Sequence, residues 1–322
     1  MHLFYLHPTY YFMKIVFMGS ARFSVPALEA ILRSAHLLTG VITNPEEPAG
    51  RGLNVRQTPV AEIAKTQGID LLTPGTLKNN RDVIDWIKAY KPDAIAVVAY
   101  GKFIPSAILN IPVHGCLNLH PSLLPKYRGA APIQRAIMNN EKETGVTVMR
   151  LDEGMDSGPV FIQEKVGIDT TDNAATLGEK LSKLGADLLI RTLDLIEQKH
   201  ISPLAQKHGL ATLAPKISKE EGRLDFLKPA LLLNNIVRAL IEWPTAWTTW
   251  KNNPVQVLST GYTAGANTDP PGTIVAIDRV GVHVATGDGT LIITAVRPAG
   301  GRSMDALSYA NGRRIMIGDT LG

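Results

Sequence analysis

Apolar runs alternate with amphipathic segments along the first two thirds of the chain, and this alternation predicts the fold class. KIVFMG (Lys14 to Gly19) is a short buried-strand pattern that ends at a glycine, and Pro26 then lies in the first turn of a helical pattern. DAIAVVAYG (Asp93 to Gly101) is apolar on both faces, as central parallel strands are. The sequence therefore predicts a doubly wound α/β fold with a mostly parallel, Rossmann-like sheet.

The same patterns place the other elements of this sheet. Helical periodicity covers Val60 to Gln67, Asp82 to Tyr90, and about Ala174 to Gln198. Strand patterns cover Leu37 to Asn44, about Ile69 to Leu72, and GCLNLHPS. GVTVMRLD and PVFIQEKVGI alternate between apolar and polar residues, which favours two half-exposed strands in a hairpin.

The pattern changes in the last third of the chain. One helix is expected at Asn234 to Ile241, and short strands at regular turn spacing follow it. This spacing predicts a small antiparallel β-barrel, OB-like in type. We therefore divide the chain into an α/β domain at 13–200, a linker at 201–217 and a barrel at 218–322, and residues 1–12 are expected to be a tail or a mis-called start before Met13. Three tryptophans near the barrel entry, Trp243, Trp247 and Trp250, are expected to pack in its core.

Composition narrows the setting in which the protein works. The 322 residues leave room for two domains, and the single cysteine, Cys116, excludes an internal disulfide framework and suggests a reducing compartment. We expect Cys116 to pack in the sheet. No apolar run reaches the roughly 18 residues that a membrane span needs. The formal net charge of +4 permits a polyanionic partner without requiring one.

Two common cofactor sites and a metal site are not expected. The first strand-to-helix turn reads GSARFS, so it lacks the second and third glycines of the dinucleotide-binding fingerprint. The sequence has no P-loop and no His/Cys cluster with zinc spacing. The sheet is therefore expected to hold neither NAD in the usual way nor a catalytic metal.

Polar chemistry concentrates where the CLNLH strand runs out. Side chains alternate along a strand, so Asn118 and His120 face the same side, at the end of a strand where α/β sheets build their sites. An amide donor and an imidazole suit a carbonyl whose oxygen becomes an oxyanion when it is attacked. A histidine bonded to backbone at a strand end fits the pattern equally well. Asp156, in LDEGMDSGP, is placed to orient His120 if its strand is a neighbour, although a turn-forming aspartate explains its spacing more simply.

The set of motifs resembles the 10-formyltetrahydrofolate-dependent formyltransferase family. The matching segments are LNLHPSLLPKYRGAAPIQRAI, ETGVTVMRLDEGMDSGP, VVAYGKFIP and PAGRG, and KISKEEGRLDF, EWPTAW, PGTIV and VATGDGTLIITAVRPAG resemble the carboxyl-terminal domain of members that act on methionyl-tRNA. Asn-x-His alone is weak evidence, whereas the ordered set from Lys14 onward is specific. The resemblance implies a cytoplasmic enzyme in which 13–200 is the catalytic domain and 218–322 binds tRNA.

The resemblance also implies a reaction and its residues. 10-Formyltetrahydrofolate would be the formyl donor and the α-amine of methionine on initiator tRNA the acceptor. Asn118 and His120 would stabilise the tetrahedral oxyanion, and Asp156 would orient His120 and help manage the proton that leaves the amine. The folate would lie against two segments, which are Val98, Ala99, Tyr100 and Gly101, and Ser122, Leu123, Leu124 and Pro125.

Candidate tRNA contacts lie in two loops. The loop from Asn44 to Thr58 is long for a strand-to-helix connection and is similar to a basic tRNA-contacting insertion of the family. Here Glu46 and Glu47 dilute its charge, Leu53 and Asn54 stand where lysines are common, and Arg51 and Arg56 remain. Lys126 and Arg128 are the other candidates. A solvated surface loop explains either pair without tRNA.

Two other functions stay open on the sequence. The first is a transferase or hydrolase with the same three residues and another acceptor, such as a nucleotide sugar, glycinamide ribonucleotide or water. The second is an RNA- or folate-binding protein without catalysis. The added carboxyl-terminal domain argues against the first, and the intact Asn118, His120 and Asp156 argue against the second. Nothing in the sequence requires more than a monomer.

Overall fold

The computed structural model describes residues 13–49 and 54–322. They form two compact units that interleave along the chain. The first unit runs up to Arg128 and includes Gly145–Val166 and Glu179–Leu213, and the second comprises Gly129–Thr144, Gly167–Gly178 and Ala214–Gly322. Residues 1–12, expected to be a tail, lie outside the described residues. The domain boundaries predicted at residues 200 and 218 stay a prediction.

A seven-stranded sheet forms the first unit, and its element bounds follow the predicted pattern. The strands are β1 (Lys14–Gly19), β2 (Leu37–Ile42), β5 (Leu71–Leu72), β6 (Ala94–Val98), β7 (Cys116–His120), β8 (Glu143–Arg150) and β9 (Val160–Gly167). Between β2 and β5 lies a separate two-stranded pair, β3 (Glu47–Ala49) and β4 (Asn54–Arg56). The helices of this unit are α1 (Val25–Arg33), α2 (Pro59–Thr66), α3 (Arg81–Tyr90) and α4 (Ser106–Leu109). Helix α5 (Pro132–Met138) belongs to the second unit, and α6 (Ala174–Glu197) begins in the second unit and continues in the first.

The strand order β5-β2-β1-β6-β7-β8-β9 confirms the doubly wound arrangement. Strands β5, β2, β1, β6 and β7 run parallel, and β8 is antiparallel to β7. The chain moves outward from β1 in both directions, so the sheet has a topological switch point between β1 and β6. In such sheets the crevice outside the carboxyl ends of the strands is where ligands bind.

Burial of the central strands stabilises this sheet. Ile15, Val16, Phe17 and Met18 of β1 are fully buried, and every residue of β6 is buried. Each buried Val, Ile, Phe or Met side chain among them contributes about 1.5–3 kcal/mol by leaving water, and the alanines contribute less. Cys116, the first residue of β7, is fully buried as expected, and burial raises the pKa of its thiol to about 12.

The second unit contains the antiparallel sheet predicted for the last third of the chain. Its elements are α7 (Ala230–Ala239), β10 (Trp247–Trp250), β11 (Asn253–Thr263), β12 (Ile274–Ile277), β13 (Val282–Ala285), β14 (Thr290–Pro298), β15 (Met304–Asp305) and α8 (Ala306–Arg313). The strands follow the order β10-β11-β14-β13-β12, with β15 beside β14, and form an antiparallel half-barrel consistent with the OB-like prediction. Trp250 is 5% exposed, whereas Trp243 is 56% exposed, so core packing was the wrong expectation for Trp243.

Most differences from the sequence prediction concern short elements. The helix expected at 234–241 begins earlier, at Ala230, after Pro229, which cannot lie in a helix interior. The one-turn helix α4 and the helix α8 carry weak periodic patterns and were not predicted. No helix among the described residues combines the length and the apolar character needed to cross a bilayer.

Candidate active site

The candidate site lies at the carboxyl end of β7, where the chain brings three predicted side chains together. His120 is the last residue of β7, and Asn118 lies two positions earlier on the same face. The loop 151–159 between β8 and β9 carries Asp156 back towards both of them. Gly158 is required in this loop because a Cβ there would lie 1.9 Å from the carbonyl oxygen of Arg150.

The carboxylate of Asp156 lies close to both His120 and Asn118. Its Oδ2 lies 3.6 Å from Nδ1 of His120, and its Oδ1 lies 3.5 Å from the amide nitrogen of Asn118. The first distance is longer than a hydrogen bond, and it becomes an ion-pair contact when the ring of His120 is protonated; the second distance is at the outer limit of a hydrogen bond. The side chains of His120 and Asp156 are 5% and 16% exposed, so water screens their interaction only weakly.

The other ring nitrogen of His120 fixes the tautomer. Nε2 lies 2.9 Å from the backbone carbonyl oxygen of Tyr127. Because a carbonyl oxygen can only accept, Nε2 carries the hydrogen and donates it. In the neutral ring, Nδ1 is then the unprotonated nitrogen, and it faces the carboxylate of Asp156. The sequence alternative of a histidine bonded to backbone is therefore also realised, through a carbonyl that sets the chemistry of the opposite nitrogen.

The loop after His120 is held in place by hydrogen bonds. Thr147 Oγ1 donates to the carbonyl of Ser122 at 2.6 Å and accepts from the N–H of Leu124 at 3.2 Å. The side-chain amide of Gln163 donates to the carbonyl of Leu124 at 2.7 Å, and the peptide bond from Leu124 to Pro125 is cis. Ser122 and Leu124 are buried with these groups engaged, whereas Leu123 and Pro125 are half-buried. Of the predicted folate contacts in this loop, Leu123 and Pro125 offer accessible surface.

The segment after β6, residues 98–101, lies beside the end of β7 and forms a second wall of the candidate site, with the loop after His120 as the first wall. Val97 pairs with Asn118 in register, so residues 98–101 leave the sheet next to the end of β7. Ala99 and Gly101 are exposed with φ values of 45° and 79°, and Val98 and Tyr100 are buried. A non-glycine residue at positive φ is strained, and such strain clusters at functional sites.

Tyr100 turns its hydroxyl group inward. Its oxygen is buried and finds no hydrogen-bond partner among the residues that the structure describes, and burial raises the pKa of this phenol to about 12. The phenol is therefore neutral at physiological pH. The backbone carbonyl of Tyr100 accepts from the side-chain amide of Asn44 at 3.0 Å, so the segment is tied to the end of β2.

The predicted tRNA contacts differ in their position and exposure in the structure. Arg51 lies outside the described residues. Arg56 lies in β4, opposite Glu47 of β3, and Lys126 is exposed at the surface of the loop after β7. Arg128 is only 8% exposed, and its guanidinium bonds to Gln206 and His208. This placement argues against the predicted phosphate contact of Arg128, because the side chain is buried and its Nε and Nη2 atoms are engaged inside the protein.

Sequence reasoning missed Gln206, which lies in the segment interpreted as a linker. Its side-chain amide donates to the carbonyls of Asp156 and Gly158 at 2.8 and 2.7 Å. A single glutamine outside any periodic pattern carries no sequence signal, so only the three-dimensional contacts reveal it.

One group of possible metal ligands occurs among the described residues, and it shares no member with the site. His36, Asp194 and Glu197 each place a ligand atom within 4.8 Å of the others. His36 Nε2 lies 3.1 Å from a carboxylate oxygen of Asp194, so two of the three side chains contact each other directly.

Comparisons with known proteins identify the family. The formyl transferase family model matches residues 13–193, and the model of the formyl transferase C-terminal domain matches residues 216–314. The methionyl-tRNA formyltransferase of Alkaliphilus oremlandii is 39% identical over 96% of this chain and 100% of its own length. That of Trichlorobacter lovleyi is 40% identical over 96% of both chains.

Solved structures share the fold at lower sequence identity. HypX from Aquifex aeolicus, in complex with tetrahydrofolic acid, is 18% identical with a TM-score of 0.62, over 95% of this chain and 48% of HypX. An N-formyltransferase from Helicobacter canadensis, in complex with folinic acid and dTDP-3-aminofucose, is 18% identical with a TM-score of 0.64, over 87% of this chain and 99% of its own. By its family matches and its full-length relatives, the chain belongs to the methionyl-tRNA formyltransferases of the formyl transferase family.

Proposed function

We propose that this enzyme transfers a formyl group from 10-formyltetrahydrofolate to the α-amine of methionine carried by initiator tRNA, through Asn118, His120 and Asp156. The observation that carries the proposal is the convergence of these side chains on Asp156, at 3.5 and 3.6 Å. Full-length relatives that bear this activity in their names support the choice of acceptor. The reaction is that of translation initiation, so the enzyme would act in the cytoplasm, and it requires no second subunit.

The chemistry follows from the two faces of His120. The acceptor nitrogen forms a bond to the formyl carbon, and its proton must leave as that bond forms. Nδ1 of His120 is the unprotonated nitrogen and takes this proton, while Nε2 stays bonded to Tyr127. The resulting positive ring is stabilised by the carboxylate of Asp156. The bond from the formyl carbon to the folate nitrogen then breaks, and that nitrogen receives the proton.

Asn118 and His120 share the stabilisation of the oxyanion. An amide has two N–H groups, so Asn118 can direct one towards Asp156 and keep the other for the oxyanion. Nδ1 of His120 is not committed to Asp156, because 3.6 Å exceeds a hydrogen-bond distance. Once protonated, it can donate to the same oxyanion. Positioned donors of this kind contribute roughly a hundredfold or more to the rate.

The walls beside this trio fit a flat, polar-edged ring. Ala99 and Gly101 on one segment and Leu123 and Pro125 on the other offer accessible apolar surface and backbone groups. Tyr100 is buried with its hydroxyl group turned inward, so it would support the first segment from inside the fold. The remaining predicted contacts, Val98, Ser122 and Leu124, would support these walls from below the surface.

The acceptor tRNA would be held by groups outside the trio. Lys126 is the exposed basic residue that follows the folate segment directly, and Arg51 and Arg56 remain the proposed contacts of the preceding loop. The carboxyl-terminal sheet is of a type that recurs in nucleic-acid binding, which supports a tRNA-binding role for residues 218–322.

An assay of formyl transfer tests the proposal and its rivals together. Purified protein is incubated with 10-formyltetrahydrofolate, with and without charged initiator tRNA, and both folate consumption and tRNA-bound formylmethionine are measured. We expect product only with methionyl-tRNA present, in equal amount to the donor consumed. Equal consumption without tRNA would indicate a hydrolase, and formylation of an amino sugar nucleotide or glycinamide ribonucleotide in its place would indicate a small-acceptor enzyme. Binding without turnover would indicate a binding module.

A further inference from the structure

We propose that Gln206 is a positioning residue, which holds the carboxylate of Asp156 in place against His120 by bonding the backbone of the Asp156 loop. The inference rests on the proposed function, since it assigns Gln206 a part in the same reaction. It gives the segment between α6 and the carboxyl-terminal sheet a role beyond that of a connection.

The first part of the argument is the geometry of the Asp156 loop. Asp156 has a φ of 47°, a left-handed conformation that costs a non-glycine residue free energy. The side-chain amide nitrogen of Gln206 donates to the carbonyl oxygen of Asp156 at 2.8 Å and to that of Gly158 at 2.7 Å. Both carbonyls lie on the carboxyl-terminal side of the Asp156 Cα, so these bonds stabilise the backbone conformation in which the carboxylate faces His120.

The second part is that Gln206 is itself fixed from the other side. It is 8% exposed, and its side-chain oxygen accepts from Nε and Nη2 of Arg128 at 3.2 and 2.7 Å. Nη2 of Arg128 also lies 3.1 Å from Nδ1 of His208, on the same segment as Gln206. A fork of guanidinium donors on one oxygen leaves the amide little freedom to rotate.

These contacts close a ring around the catalytic pair. Tyr127, whose carbonyl binds Nε2 of His120, is bonded through its peptide to Arg128. Arg128 holds Gln206, Gln206 holds Asp156, and Asp156 faces Nδ1 of His120. The carbonyl of Tyr127 and the carboxylate of Asp156, which face the two nitrogens of His120, are therefore held by one connected set of bonds. Displacing Gln206 would release the Asp156 loop from this set.

The backbone of the same segment adds to this frame. Leu204 exchanges two hydrogen bonds of 2.8 Å with Val160, directly after the Asp156 loop. The N–H of Arg128 donates to the carbonyl of Thr212 at 2.9 Å, and the N–H of Tyr127 donates to Thr212 Oγ1 at 2.8 Å. The backbone around Gln206 is thus held by hydrogen bonds at Leu204 on one side and at Thr212 on the other. A side chain on this segment therefore has a fixed position.

The chemistry of an amide is required here, because one side chain must accept on one side and donate on the other. A glutamate has nearly the same size and accepts from Arg128 at least as well, but it has no N–H for the two carbonyls. Gln206→Glu therefore separates the two contacts of this side chain, and Gln206→Ala removes both.

The experiment compares kcat and KM for Gln206→Ala, Gln206→Glu and the matched control Leu204→Ala, with wild-type enzyme as reference. The side chain of Leu204 is 75% exposed on the same segment, and its backbone bridge survives the substitution. We expect kcat to fall roughly tenfold to a hundredfold in both Gln206 variants, as misplacement of a catalytic group does. KM for folate and for methionyl-tRNA should stay within about twofold, and Leu204→Ala should match the wild type.

Each other outcome overturns the inference in its own way. Near-normal kcat in Gln206→Glu would show that only the bond to Arg128 matters, and near-normal kcat in Gln206→Ala would show that Asp156 needs no support. A rise in KM without a fall in kcat would make Gln206 a binding residue. Thermal unfolding of each variant identifies loss of folded protein, and hydrogen exchange at the Asp156 loop then reports its release directly. An inactive wild type would instead refute the proposed function.

Discussion

Oδ2 of Asp156 lies 3.6 Å from Nδ1 of His120, and Nε2 of the same ring lies 2.9 Å from the carbonyl of Tyr127. The imidazole therefore has a permanent acceptor on one side and an anion on the other. Because the carbonyl retains the Nε2 hydrogen, any proton gained or lost in the reaction passes through Nδ1. This arrangement supports the proposed roles of His120 in proton transfer and of Asp156 in stabilising the charge that results.

Replacement of His120 tests that assignment. His120→Ala removes both the proton acceptor and one oxyanion donor, so we expect kcat to fall by roughly a thousandfold and folate affinity to change by less than about threefold. Steady-state kinetics and fluorescence titration with a folate analogue measure the two quantities. His200→Ala, at an exposed histidine, is the control and should behave as the wild type. A tenfold or smaller loss of kcat in His120→Ala would remove His120 from the chemistry.

Asp156→Asn tests the charge rather than the shape of the site. The amide keeps the size of the side chain but presents no negative charge to Nδ1 of His120. We expect kcat to fall by roughly a hundredfold while the unfolding midpoint stays close to that of the wild type, because the carboxylate stabilises the charged ring and not the ground state. A variant with normal kcat would leave Asp156 with a turn-forming role only.

Much of the fold could be predicted from the sequence because hydrophobic periodicity reports burial. Strands β1 and β6 are apolar at nearly every position and are central and parallel, and Cys116 packs in the sheet as its surroundings predict. Elements without such a pattern escaped prediction. The helix α8 has mostly small and polar residues, and β15 is two residues long, so neither carries a readable period.

The site was predictable only as far as its residues lie on patterned elements. Asn118 and His120 share a strand face, so alternation alone places them together. Asp156 depends on a loop conformation, and Gln206 on a contact between distant segments, which spacing cannot reveal. Arg128 shows the limit of charge as a signal: its basic side chain next to the site predicts an exposed contact with tRNA, whereas its guanidinium is buried and bonds to Gln206 and His208.

Substitutions at two basic residues of one loop, Lys126 and Arg128, are expected to change different kinetic constants. Lys126→Ala should raise KM for methionyl-tRNA about threefold to tenfold with kcat preserved, because it removes one exposed charge that can meet a phosphate. Arg128→Lys should lower kcat with little change in that KM, because lysine cannot replace the fork of donors on Gln206. Salt dependence of the two KM values provides a second measurement. The reverse pattern, with KM raised in Arg128→Lys, would return Arg128 to the tRNA interface.

The thiol of Cys116 is expected to be inert in the folded protein. Burial raises its pKa to about 12, so at about pH 8 only roughly one thiol in ten thousand is the reactive thiolate. We expect no measurable reaction with a chromogenic disulfide reagent in native buffer over an hour, and rapid reaction of one thiol once urea unfolds the chain. Because the sequence has one cysteine, the signal is unambiguous. Fast labelling of native protein would show that β7 opens readily.

The ion pair between Arg135 and Glu221 predicts a pH-dependent contribution to the stability of the second unit. The guanidinium donates to both carboxylate oxygens of Glu221, and this hydrogen bonding lowers the pKa of Glu221 below its ordinary 4.5. A lowered folded-state pKa stabilises the fold above the unfolded pKa, and the contribution is lost as the pH falls through the folded value. Glu221→Gln should therefore cost about 1 kcal/mol at neutral pH and progressively less in acid.

Urea unfolding at neutral and acidic pH measures this difference, with Glu220→Gln as the matched control. Glu220 is the exposed neighbour in the same short 3-10 helix, so its substitution removes the same charge without removing the contact to Arg135. The control should shift the urea midpoint little at either pH. If Glu221→Gln and Glu220→Gln behaved alike at neutral pH, the pair would add nothing beyond a surface charge. A cost that persists undiminished in acid would mean that Glu221 acts through packing, since protonation would already have removed its charge.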